Sequence, residues 1–278
     1  MAVFLCGLLT GAGAEPLATL DEDSSYALGA VIGSQMEEME IAFNEERFSD
    51  GFYAAMSGNS EISAEKALML VTGALGGGPG ETPDLNNETS YALGAAIAHQ
   101  LINGGISLAF SRAQFVNGFM AERNGASVIP VDEAAEKLEG IITAASESKA
   151  RENLEKSERF LAENAKKSGV KTTASGLQYV VAAKGSGKKP ASQSVVTVNY
   201  EGRLVDGTVF DSSYERGEAA QFPLEDVISG WTEGIQLMSV GSKFTFYVPP
   251  KLGYGDMSGL PIPPNSVLIF DVELLAIE

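Results

Sequence analysis

The chain is poor in the residues that most enzymes use for covalent or metal chemistry. It has one cysteine, one histidine and one tryptophan in 278 residues. The cysteine, Cys6, stands close to the N-terminus, so the rest of the chain forms no disulfide and no thiolate metal site. The histidine, His99, has no second histidine to complete a metal site or a Ser-His-Asp arrangement, and on a helix it reads as a packing or surface residue. Cations are scarce too: 19 Lys and Arg stand against 37 Asp and Glu, a formal charge of −18. Such a surface repels phosphates and anionic lipid, which excludes nucleic acid as a partner class. In so acidic a chain, paired carboxylates carry no information. No metal or cofactor is expected.

Long apolar runs are also missing. The one apolar stretch near the start, Ala2 to Leu9 in MAVFLCGLLTGAGAEP, is too short to span a bilayer. It ends in small residues, Ala12-Gly13-Ala14, and reads as a secretory leader over residues 1–14, though without the usual basic start. Bulky Leu5 ahead of Cys6 argues against a lipoprotein. No membrane insertion is expected once the leader is removed.

What the chain has is repetition. SYALGA occurs at Ser25–Ala30 and again at Ser90–Ala95, 65 positions on. Further along, Phe48, Gly51 and Phe52 are answered by Phe115, Gly118 and Phe119. Matching residues in the same order describe an internally duplicated helical unit. Tyr26, Ala30 and Gly33 fall at helical spacing, and the small residues allow another helix to come close. The two modules are expected at 22–75 and 89–131, with a Gly/Pro linker at 76–88. From 132 to 169 little interrupts a long connecting helix. It is apolar early, at Ala134, Leu138 and Ile141, then charged on nearly all sides, which reads as a spacer crossing solvent.

After Gly169 the texture changes to strands. Val196, Val198 and Tyr200 alternate with Thr197, Asn199 and Glu201; Phe244, Phe246 and Val248 alternate likewise, as do Leu268, Phe270, Val272 and Leu274. Asp206-Gly207 marks a hairpin between two runs. The segment DVISGWTEGIQ has room for one short helix. The fold class is α+β: an all-helical N-terminal part with two copies of a module, a long connecting helix, and an antiparallel sheet wrapped around one short helix over 172–278.

Within that last part, VNYEGRLVDGTVFDSSYERGE, VISGWTEGIQLMSVGSK, GYGDMSGLPIPPNS and LIFDVELL closely resemble the FKBP-type peptidyl-prolyl cis-trans isomerases. The upstream helices resemble the N-terminal dimerisation module of the secreted macrophage-infectivity-potentiator type, where it occurs once per chain. The resemblance implies a pocket with Trp231 as floor, Tyr200, Phe210 and Phe270 as walls, Val227 and Ile228 at the rim, Ile262 on a flap above, and Asp211 and Tyr254 as polar contacts, with the Ile228 amide gripping the peptide carbonyl. Asp211, Tyr254 and Ile228 would be the catalytic residues. Ala220 stands where an aromatic or large apolar residue is frequent, Leu252 replaces a frequent tyrosine, and the flap histidine of some members is missing; these departures bear on substrate preference.

The implied reaction fits the empty catalytic inventory. Rotation about an X-Pro bond crosses a barrier of ~20 kcal/mol because amide resonance is lost. A twisted amide has less charge separation than a planar one, so a pocket that strips water from the carbonyl favours the twisted state. The resemblance implies proline-containing unfolded or folding polypeptides as partners, macrolides as further ligands, and a location in the periplasm or at the outer membrane. The alternative is a non-catalytic chaperone that holds unfolded proteins. A module that normally joins two chains, written twice in one, is expected to pair with itself, which favours a monomer with an internal pseudo-dimer over a homodimer.

Overall fold

The computed structural model describes residues 16–39, 41–76, 83–257 and 262–278. The leader expected at 1–14 and the central part of the Gly/Pro linker lie outside them. The chain divides into two compact units, Met1–Glu147 and Ser148–Glu278.

The first unit is helical. Strand β1 (Ala18–Thr19) precedes helices α1 (Glu22–Glu38), α2 (Glu45–Met56), α3 (Ala64–Leu75) and α4 (Asn87–Asn103); strand β2 (Leu108–Ala109), α5 (Arg112–Arg123) and the start of α6 (Val131–Asn164) complete it. Each of the first helices begins where a short polar side chain satisfies an orphan amide. Asp21 accepts from the Ser24 amide at 2.8 Å, Asn44 from Arg47 at 3.0 Å, Asn86 from Thr89 at 2.9 Å. Ser63 accepts from the Lys66 amide at 3.2 Å.

The helices pair across the repeat rather than within it. Helix α1 lies against α5, and α2 against α4. The small residues of SYALGA make this approach possible: Gly29 and Gly94 meet the backbones of Phe115 and Phe48, and Gly51 and Gly118 meet those of Tyr91 and Tyr26. The same crossing is repeated by polar groups. The Ser111 amide donates to the Ser25 hydroxyl (3.0 Å) and the Asn44 amide to the Ser90 hydroxyl (2.9 Å). The Val128 and Glu61 amides donate to the Tyr26 and Tyr91 hydroxyls, each at 3.2 Å. Four fully buried rings fill the centre, with Phe52 stacked on Phe115 at 4.9 Å and Phe48 on Phe119 at 5.1 Å. Between α2 and α5 the match is ionic and unlike on its two sides, with Arg123 on Glu45 at 2.8 Å and Arg112 on Asp50.

Two boundaries differ from the sequence reading. The end of the expected linker is part of the fold: Asp84 bridges Ala42 in parallel, Leu85 is buried and Asn86 caps α4. Its counterpart is the parallel pairing of β1 with β2, Ala18 with Leu108, so each module starts with an extended segment before its first helix. The module's third helix, α3, has its equivalent in the first turns of α6, where Ala134 and Leu138 are buried as Ala67 and Val71 are.

The second unit is a seven-stranded antiparallel sheet. It consists of β3 (Lys171–Thr172), β4 (Gln178–Ala183), β5 (Val195–Arg203), β6 (Val209–Ser212), β7 (Ala220–Pro223), β8 (Lys243–Val248) and β9 (Leu268–Ile277). The order is β3-β4-β8-β9-β5-β6, with β7 also on β5. Helix α8 (Ser229–Ile235) packs into its concave face, with a one-turn helix α7 (Ser213–Arg216) after β6 and a 3₁₀ turn at Pro250–Leu252. The alternation fixes which face is inward: Val196, Val198, Tyr200, Phe246, Val248, Phe270, Val272 and Leu274 are buried. The hairpin at Asp206-Gly207 forms as expected, Gly207 with φ 92° and the Leu204 amide donating to the Thr208 carbonyl at 2.9 Å.

The later turns of α6 depart from the expected spacer. They belong to the second unit. Ser157 and Asn164 are buried, Phe160 lies 6.0 Å from the Tyr247 ring, and the Gln178 amide group bonds the Leu161 carbonyl (2.8 Å) and the Asn164 side chain (2.9 Å). A face that looked polar is an interface made with polar side chains.

Candidate active site

The concave face gathers most of the residues named from the sequence around Trp231. The tryptophan sits in the first turn of α8, where Gly230 and Gly234 allow the helix to press onto Val248 and Phe246. Three rings meet it nearly edge-on: Tyr200 from β5 at 5.0 Å and 89°, Phe270 from β9 at 5.2 Å and 79°, and Phe222 from β7 at 5.7 Å and 82°. Phe210 from β6 stands against Phe270 at 5.5 Å and 88°. Edge-to-face contacts suit the ring quadrupole and hold each ring at a fixed angle. The Trp231 Nε1 is buried with no partner among the described residues, and the three rings pack around it. Gly202, opposite Phe270 in the β5–β9 register, leaves room for the Phe210 and Phe270 rings, since a Cβ there would lie 2.7 Å from both.

The rim comes from the turn into α8. Val227 and Ile228 pack partly buried against the aromatic cluster. Ile228 caps the helix with its carbonyl, which accepts from the Trp231 amide at 2.8 Å, while none of the described backbone or side-chain acceptors receives its own N–H. Ile262 is buried in the same cluster. Ala220 pairs with Val198 at the start of β7, and Leu252 closes the 3₁₀ turn.

One edge is ionic. The Tyr200 hydroxyl donates to one oxygen of Asp211, and Arg216 donates to the other. Arg216 also donates to the Tyr200 oxygen at 2.9 Å, its guanidinium lying 5.4 Å from the Tyr200 ring centre. Burial, reinforced by the bond to Asp211, pushes the Tyr200 hydroxyl up to about 12. Both carboxylate oxygens of Asp211 are engaged, which fixes the orientation of the group. Tyr254 is 37% exposed as a residue, while its hydroxyl is raised by burial and then by the charge of Asp211, in the field of that same carboxylate.

Two residues were missed. Phe222 completes the ring of walls, and Arg216 fixes Asp211. Arg216 had a signal: it is the only Lys or Arg between Arg203 and Lys243, a lone base in an acidic stretch. The arrangement as a whole offers a cluster of aromatic rings beside a bonded carboxylate, with an amide donor at the rim. It can desolvate a small apolar ring and hold a carbonyl.

Comparison with known proteins bears on both units. A family model described as FKBP-type peptidyl-prolyl cis-trans isomerase matches residues 186–275, and one described as the domain amino terminal to FKBP-type peptidyl-prolyl isomerase matches twice, at 21–74 and 86–181. The FKBP-type 22 kDa peptidyl-prolyl cis-trans isomerase of Escherichia coli is 40% identical over 198 residues, covering 68% of this chain and 94% of that one. The probable FkpA of Neisseria meningitidis is 43% identical over 202 residues, 68% of this chain and 74% of its own. The FkpA of Aeromonas hydrophila is 57% identical over 142 residues, and there the match spans about half of each chain, 51% and 53%. The crystal structure of FkpA from Escherichia coli superposes with a TM-score of 0.54 at 36% identity, covering 69% of this chain and 96% of that one.

Proposed function

The chain belongs to the FKBP-type peptidyl-prolyl cis-trans isomerase family, and from that premise we propose that its second unit speeds X-Pro rotation in folding polypeptides by desolvating and twisting the amide. The observation that carries this reading is the box of rings around Trp231 with Asp211 locked at its edge. The proline ring would rest on Trp231 between Tyr200, Phe210, Phe222 and Phe270. The free Ile228 N–H would hold the carbonyl that follows the proline. The carbonyl before the proline, turned out of the amide plane, would lose water against the walls, which penalises the planar, charge-separated form more than the twisted one. Tyr254 would donate to that side from the field of Asp211. Each of these acts by binding and orientation, without a proton leaving the protein.

Several finer readings belong here. The crossed pairing of the two modules supports a chain that is monomeric, its internal pairing replacing a homodimer's. The apolar Ala2–Leu9 run supports export to the periplasm or to a place in association with the outer membrane; no described helix is long and apolar enough to cross a membrane. Macrolide binding rests on the family resemblance of the pocket. A second reading, a chaperone that holds unfolded chains, draws on Leu68 and Met69, which stand exposed on α3.

The test is a proline-peptide isomerisation assay on the full chain beside a Trp231→Leu variant. Turnover in the first and its loss in the second is the expected result. A chain that suppresses aggregation while both proteins leave the peptide at its uncatalysed rate would replace the enzyme reading with the chaperone one.

A further inference from the structure

Helix α6 reaches the pocket edge through two residues, Pro264 and Asn265. Asn265 has a left-handed backbone, φ 58°, a conformation that asparagine tolerates better than most residues. Its N–H donates to the Gly255 carbonyl at 2.6 Å, which ties it to the residue next to Tyr254. Its other groups go to α6: the Asn265 side chain donates to the Ala150 carbonyl at 3.1 Å, and the Ser157 hydroxyl donates to the Asn265 carbonyl at 2.6 Å. One turn earlier on the same face, the Asn153 side-chain Nδ2 donates to the Pro264 carbonyl at 3.0 Å. The two backbone positions that α6 holds, Pro264 and Asn265, therefore lie two and three residues after Ile262, the second bonded to the residue that follows Tyr254.

We propose that Asn153 and Ser157 are positioning residues for the isomerase site: by fixing Pro264 and Asn265 they set where Tyr254 and Ile262 stand at the pocket edge. The second half of α6 is then a working part of the catalytic unit. The proposal rests on the isomerase reading above. The helix is held on the sheet by other groups, Phe160 on Tyr247 and Gln178 between Leu161 and Asn164, so removing the Asn153 or Ser157 donor loosens Pro264 or Asn265 without detaching the helix.

The experiment uses the full chain with Asn153→Ala, Ser157→Ala, the conservative Asn153→Gln, and Lys156→Ala as a control on the exposed side of the same turn. Kinetics are run well below the unfolding transition of every variant. A small misplacement of groups touching substrate is costly, so kcat/KM is expected to fall about three- to tenfold in the two donor losses. Asn153→Gln should recover most of the loss and Lys156→Ala should match the wild type. Binding of N-acetyl-proline amide, followed by fluorescence of the sole tryptophan, should change less than kcat/KM, because the floor of the box is untouched. Amide exchange at Asn265 should quicken while that of β9 stays put. Folded donor-loss variants that keep wild-type kcat/KM beside an active wild type overturn the proposal. A wild type without turnover overturns the isomerase reading instead; the positioning claim, which rests on that reading, goes with it. If one donor loss does not fold, the other decides.

Discussion

Gly29 and Phe115 touch backbone to backbone. A Cβ on Gly29 would collide with the Phe115 carbonyl oxygen and lie 2.7 Å from the Phe119 nitrogen; Gly94 stands in the same relation to Phe48 and Phe52, with 2.8 Å to the latter's nitrogen. Neither backbone can turn aside as a side chain would. Gly29→Ala or Gly94→Ala is therefore expected to destabilise the helical unit by about 3 kcal/mol or more, the upper end of overpacking. Gly73, in α3, would meet nothing with a Cβ. Gly73→Ala should be neutral or stabilising by up to ~1 kcal/mol. Thermal unfolding of the three variants checks this, and equal melting temperatures would refute the close approach.

Asp211 joins Tyr200 and Arg216. In Asp211→Asn the charge that anchors both is gone, and Arg216 loses its carboxylate. The peptide kcat/KM should fall about tenfold, equivalent to roughly 1.4 kcal/mol, with the pocket still folded. Ultraviolet titration should show Tyr200 ionising at lower pH than in the wild type, since the bond to Asp211 is one of the causes that raise it.

The raised Tyr200 also gives stability a pH dependence. Its hydroxyl ionises near 10 in the unfolded chain and is pushed up to about 12 when folded. Between those values the folded state keeps a proton that the unfolded state has released, so stability falls as pH rises through that window and is intact below it. Tyr254 is raised as well and adds in the same direction. Urea unfolding at pH 9 and pH 11 should show a smaller loss in Tyr200→Phe than in the wild type; an identical loss would assign the slope to other groups.

The mass of the chain in solution tests the pairing of the modules. Light scattering over a dilution series should return one chain at every concentration. A mass of two chains, or one that rises with concentration, would mean that the modules also pair between molecules.

Much of this was readable in advance, and the reasons are local. SYALGA written twice announces the repeat, because the glycine that admits the neighbouring backbone must stand at the same place in each copy. Strict alternation from Val196 to Tyr200 and from Leu268 to Leu274 announces a sheet with one buried face. The pocket residues followed from the family resemblance, and Trp231, Tyr200, Phe210 and Phe270 do come together. What stayed hidden is non-local. Nothing in α1 alone says that its partner is α5 rather than α2. Ser157 and Asn164 read as solvent-facing because they are polar, yet both are buried, bonded to the main chain of Asn265 and the side chain of Gln178. Arg216 was overlooked because a lone base in an acidic stretch does not say which acid it will meet until Asp211 is seen beside it.

The ion pairs between α2 and α5 have a consequence for which copies recognise one another. By the offset of 67 that takes Phe48 to Phe115, Arg112 occupies in the second module the place of Glu45 in the first, and Arg123 that of Met56. Asp50 meets Arg112 and Glu45 meets Arg123. Two first modules set together in this geometry would bring Asp50 of one to Glu45 of the other, acid on acid. Two second modules would bring Arg112 to Arg123, base on base. Only unlike modules match, so the charges discriminate against self-association of either copy by repulsion as well as by the loss of attraction. A homodimer, whose two halves are one sequence, has no access to that kind of discrimination; a duplication that has diverged at Glu45 and Arg112 does.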